Sequence, residues 1–190
     1  MGWIGLTVRL RGCGASTGDF SLKSWIEDGS AALAHLRAEA DIERMWIVGF
    51  GTGGVVALTV AANEPDVAGV ALVAAPADFD DWAKTSDQLL AHAHEVGVIK
   101  DDSFPSDVDS WKAELSQVRA STAAELFSPR PLLVLHGSED HAVPQFDARM
   151  VADAHGDAEL RIISGAGHQL RHDPRAVAVL LGWLERTRNR

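Results

Sequence analysis

Two residues in this chain have the types that proton transfer needs, and each stands in a glycine-rich loop behind an apolar run. Asp140 lies in His136-Gly137-Ser138-Glu139-Asp140-His141-Ala142-Val143-Pro144, and His168 closes Gly165-Ala166-Gly167-His168. An imidazole held at one ring nitrogen by a carboxylate keeps the other nitrogen free to take a proton, and the carboxylate stabilises the cation that forms. A third loop, Gly49-Phe50-Gly51-Thr52-Gly53-Gly54, also follows an apolar run. Open α/β sheets bind ligands beyond the carboxyl ends of their strands, where such loops gather. Plainer readings stand beside this one: Asp140 as a turn cap, His168 as a satisfied loop histidine, Gly51 as an ordinary turn glycine.

Other chemistries fit less well. The glycine run at 49–54 lacks the Lys-Ser/Thr ending of a phosphate loop and has no placed acidic partner for a ribose, so no nucleotide cofactor is expected. His136, His141, His168 and His172 form no known metal-ligand spacing, so no metal is expected. Thr52, Cys13, Ser16 and Ser138 are the side chains open to consideration as nucleophiles. Cysteine is intrinsically the best of them, but a lone cysteine is more often a small buried residue. Trp82 and Trp111 read as helix-packing residues. If they line a site, they favour an apolar acyl or aromatic ligand.

Taken together and in order, these loops resemble the α/β-hydrolase superfamily, most closely its small bacterial esterase- or peptidase-like members. That fold carries a G-x-S-x-G nucleophile elbow, then an acid, then a histidine. Arg11-Gly12-Cys13-Gly14-Ala15-Ser16 is similar to the family's R-G-x-G-x-S loop, and the resemblance spans nearly the whole chain. It implies that Asp140 is the acid, His168 the base, Gly51 the nucleophile position, and the Thr52 N–H an oxyanion donor. The departure is at position 51, where the elbow reads G-x-G-x-G and no side-chain atom can attack. An elbow forces its central residue into a strained conformation that glycine adopts easily, so Gly for Ser relieves about 1 kcal/mol or more. A second departure is at the front. The family places about three strands and a helix before the R-G-x-G-x-S loop, and one of those strands carries the other oxyanion N–H. The expectation is a sheet short of its front strands: a truncated chain or misplaced start, strands that close up and pair directly, or a gap filled by another chain.

The elements that must position these loops alternate between strand-like and helix-like, which predicts a parallel sheet covered by helices, an α/β fold. Strands are expected at residues 3–10, 45–50, 67–74, 132–136 and 160–163. Helices are expected at 22–40, 55–63, 146–155 and 176–188, and 51–54 reads as a tight turn. Residues 77–129 exceed what two neighbouring strands need for a connection. They hold two helix-like stretches, 82–96 and 111–126, and read as a lid inserted into one domain spanning 1–190.

The net charge is −10 and the pI about 5.1. Such a surface disfavours nucleic acid and anionic membranes as partners. Cys13 is the one cysteine, which excludes an intrachain disulfide, and no apolar run is long enough to span a bilayer. The expected setting is the cytoplasm, with a small-molecule acyl substrate or ligand as partner. An unpaired strand edge favours a homo-oligomer. The functional expectation is an acyl hydrolase relative with little or no activity. The alternatives are a non-catalytic small-ligand-binding module and a fragment of a longer active hydrolase.

Overall fold

In the computed structural model, which describes residues 3–39, 42 and 44–188, four apolar runs form a parallel sheet. They are β1 (Met45–Phe50), β2 (Val67–Val73), β3 (Leu132–Gly137) and β4 (Glu159–Ile163), in spatial order β1-β2-β3-β4. β2 and β3 are buried at every residue. That burial explains why they read as continuous apolar runs: parallel strands have both faces covered. β1 is only partly buried and, among the described residues, has a hydrogen-bonded neighbour strand on one side.

The chain divides into two compact units. One comprises Glu43–Phe79 and Val118–Arg190 and holds the whole sheet. Its helices are α2 (Thr52–Ala62), α6 (Ala120–Phe127), α7 (Gln145–His155) and α8 (Pro174–Thr187). α2 packs on β1, β2 and α6, and α6 packs on α7. Ala71, Val73, Leu133 and Leu135 share one sheet face and cluster with Ala176 and Trp183 of α8. Local chemistry sets the ends of these helices. Pro174 opens α8 behind Asp173, whose carboxylate accepts from the Arg175 N–H, and Gly156 ends α7 at φ 82°.

The other unit comprises Met1–Ile42 and Asp80–Gln117. It contains α1 (Leu22–Glu39), α3 (Asp80–Lys84), α4 (Ser86–Glu95) and α5 (Val108–Gln117). Phe20 is its hub. The ring meets Trp25 and Trp111 edge-on, with centroids 4.7 and 6.1 Å away, and Trp111 Nε1 donates to the Phe20 carbonyl. Trp111 is therefore a packing residue, as expected, and Trp82 also stands edge-on to Phe20. The Arg11–Ser16 loop is tied down within this unit. Arg11 donates from its backbone N–H and Nε to Asp28, and Lys100 Nζ donates to the Gly14 and Ser16 carbonyls.

Several expectations need correction. Residues 3–10 are not a strand. They have no regular structure, and Trp3, Ile4, Leu6 and Val8 are exposed. Among the described residues no strand pairs with their apolar alternation, and a strand is defined by its neighbour. The helix after the elbow starts at Thr52 rather than 55, because its glycines sit inside the helix. A Cβ on Gly54 would lie 2.8 Å from the Ala75 Cβ, so glycine lets α2 approach that closely. Each of the two stretches expected as one helix in the insertion is two, interrupted at Thr85 and at 118–119. The insertion divides between the units, with 80–117 in one and the rest in the other. No helix among the described residues is long and apolar enough to cross a membrane.

Candidate active site

The sheet unit carries the elbow, the acid loop and the histidine loop. β1 ends at Phe50, and Gly51 turns the chain with φ 53° and ψ −131° into α2. Its N–H donates to the Val73 carbonyl at 2.9 Å, and its own carbonyl accepts from Gly54. This backbone conformation is costly for a residue with a Cβ and cheap for glycine. A Cβ built at Gly51 meets, beyond its chain neighbours, one atom within 4 Å: His168 Nε2, at 3.8 Å. Position 51 thus aims its missing side chain at the imidazole. Thr52 opens α2, so its N–H lies in the first turn, where no intrahelical carbonyl can accept it.

Asp140 follows β3 and its carboxylate is fully buried. Oδ1 accepts from the Ala142 and Val143 N–H groups, both at 2.9 Å. Oδ2 accepts from His168 Nδ1 at 2.9 Å. Burial pushes the Asp140 pKa up, but the hydrogen bonds from Val143, His168 and Ala142 outweigh it and hold the carboxyl below its ordinary value. With Nδ1–H engaged, the neutral His168 ring presents an Nε2 lone pair towards Gly51. The ring is 39% exposed, open enough for a substrate to reach.

Backbone contacts stitch the two loops together. Glu139 N–H donates to the Ala166 carbonyl, and Gly165 N–H donates to Ser138 Oγ at 2.8 Å. Ser138 is therefore occupied as a strut. A Cβ on Gly137 would stand 2.2 Å from the Ala166 carbonyl oxygen, so only glycine allows this approach. The sequence reading missed the part His136 plays. Its ring is fully buried, Nε2 donates to the Val143 carbonyl at 3.0 Å, and the same nitrogen stands 3.3 Å from Asp140 Oδ2. Nδ1 is buried with no hydrogen-bond partner. The available signal was a polar residue ending an otherwise apolar strand.

Cys13 and Ser16 belong to the other unit. Burial raises the Cys13 thiol pKa, with Lys100 and Arg9 opposing, which disfavours the nucleophilic thiolate. Ser16 Oγ donates to the Arg9 carbonyl. Among the described residues no group of three His, Cys, Asp or Glu is placed to hold a metal ion.

The model of the alpha/beta hydrolase family matches residues 4–180. The chain belongs to that family. Among curated proteins this hydrolase-family chain is similar to the uncharacterized protein YfhR of Salmonella typhi, 26% identical over 148 residues. That match covers 73% of the chain and 45% of YfhR, so the chain spans less than half the length of this relative. Its fold is similar to a putative non-heme bromoperoxidase, BpoC, of Mycobacterium tuberculosis, with TM-score 0.69 and 21% identity over 94% of the chain and 80% of BpoC. It is also similar to Est1E of Butyrivibrio proteoclasticus, with TM-score 0.65 and 19% identity over 88% of the chain and 69% of Est1E. At these identities the structural likenesses speak for the fold alone.

Proposed function

We propose that this hydrolase-family chain keeps the acid–base half of an acyl hydrolase site and lacks its covalent half. Asp140 orients His168 and stabilises its cation, the Thr52 N–H meets the developing oxyanion, and position 51 supplies no attacking atom. The ligand class is a small acyl compound, and no acyl-enzyme forms on it at position 51. One observation carries this reading: a Cβ at Gly51 points at His168 Nε2 across 3.8 Å. One bond further out, a serine hydroxyl would come within the reach of about 2.6–3.2 Å that a nucleophile–base pair needs. The lone cysteine favours a reducing compartment, the cytoplasm, as its setting.

The experiment is a fluorophosphonate probe, which labels only an activated serine. The native chain should stay unlabelled and Gly51→Ser should label in a His168-dependent way. A folded Gly51→Ser protein that never labels sinks the reading, because the elbow and the imidazole would then not face each other.

A further inference from the structure

His168 turns its Nε2 towards the place where Gly51 carries no side chain. Asp140 Oδ2 takes its Nδ1–H at 2.9 Å, which leaves Nε2 as the accepting atom. On the Gly51 side, no atom beyond the chain neighbours comes within 4 Å of the Cβ position except that same Nε2. A water held by Nε2 at about 2.8–3 Å on that side takes the place of a nucleophile's oxygen, next to the residue from which α2 starts.

We propose that the space between Gly51 and His168 Nε2 is a subsite for a small free nucleophile, where His168, held by Asp140, activates water to attack an acyl carbonyl directly. This rests on the acid–base reading above and adds an activity to it. The water oxygen bonds to the acyl carbon as Nε2 takes its proton, and the carbonyl oxygen becomes an oxyanion at the Thr52 N–H. The tetrahedral species then breaks its bond to the leaving oxygen or sulfur, which receives the proton back from the imidazolium. One water and one ester or thioester give one acid and one alcohol or thiol, with no covalent enzyme species. Methanol and hydroxylamine, comparable in size to water, can take its place. Branched alcohols are too large for a space that one serine side chain would fill.

The test is hydrolysis of p-nitrophenyl acetate by the native chain, with hydroxylamine or methanol added as competing nucleophiles. The expected result is linear turnover without a burst, lowered about 10²-fold or more by His168→Gln and unchanged by His172→Gln. Hydroxylamine should divert product to the hydroxamate, whereas tert-butanol should give no ester. Gly51→Ala, which puts a methyl in the space, should suppress both hydrolysis and trapping. If that variant fails to fold, the methanol-to-tert-butanol comparison on the native chain carries the same information. Two outcomes overturn the proposal: turnover indifferent to His168→Gln, or an acetyl adduct on His168 in rapid-quench mass spectrometry, which would make the imidazole itself the nucleophile. A Gly51→Ser variant that labels with fluorophosphonate beside a native chain with no His168-dependent turnover refutes this inference alone. Absence of labelling in folded Gly51→Ser removes the reading beneath it.

Discussion

A methyl group added at Gly51 should cost stability through the backbone alone, and two neighbouring glycines supply the controls. At Gly51 the added Cβ has its nearest non-neighbour atom at 3.8 Å, an ordinary contact, so crowding contributes nothing. The cost is that of holding a non-glycine residue at φ 53°, about 1–3 kcal/mol. Gly53 lies two residues on, inside α2, with nothing within 4 Å of its Cβ and no positive φ. Gly53→Ala should stabilise by about 0.5–1 kcal/mol, because alanine has less unfolded freedom to lose. For a chain of this size each kcal/mol moves Tm by about 2–4 °C, so the two alanines should shift it in opposite directions. Gly137→Ala is the crowded extreme. Its methyl would stand 2.2 Å from one carbonyl oxygen and 2.7 Å from another, both backbone, and no rotamer can relieve that. It should cost more than the roughly 1–3 kcal/mol of common overpacking. Thermal and urea unfolding of the three variants in one buffer reads the series. If Gly51→Ala and Gly53→Ala shift Tm in the same direction, the elbow is not held in its left-handed conformation, and the argument for the direction of position 51 fails with it.

Two further outcomes follow from the acid loop. His136→Leu removes the donor to the Val143 carbonyl and the approach to Asp140 Oδ2. It should destabilise in urea unfolding by up to about 1 kcal/mol, because the lost bond to the half-buried Val143 is partly offset by removal of the unpaired Nδ1; no loss would mean that His136 merely fills space. Asp140 has its folded pKa below the ordinary carboxyl value. Its contribution to stability is therefore complete above the unfolded pKa of about 3.9 and is lost as pH falls through the folded value. Urea midpoints measured from pH 6 downward should fall less steeply in Asp140→Asn than in the native chain, and identical profiles would refute the assignment.

What the sequence made legible was whatever a local pattern specifies completely. β2 and β3 are apolar throughout because both faces are covered, and they read as strands without further help. Asp140 and His168 were found because each sits in a glycine-marked loop, and the structure joins them at 2.9 Å. The failures lie where the deciding partner is remote in sequence. Residues 3–10 alternate as a strand should, yet pairing depends on a neighbour that no local pattern reveals. Gly54 reads as a turn residue, because its close packing against Ala75 is invisible along the chain. Nothing local could show that His136 reaches Asp140, since a histidine at a strand end has many uses.

Among the described residues β1 pairs with one strand, β2, and the Gly51 N–H ties the elbow to the Val73 carbonyl. Asp140, by contrast, follows the interior strand β3; His168 follows β4, which is at the other edge, but its loop is cross-linked to that of β3. The elbow and the acid loop therefore differ in persistence. Edge-strand amides exchange with solvent through small local openings, whereas those of an interior strand wait for larger ones. An excursion of β1 should disperse the Gly51–Thr52 corner while Asp140, behind the interior strand β3, stays in place. Any ligand that uses both halves binds only the fraction of molecules with the corner in place, so its apparent affinity scales with that fraction. It should in turn slow hydrogen exchange in β1 more than in β3.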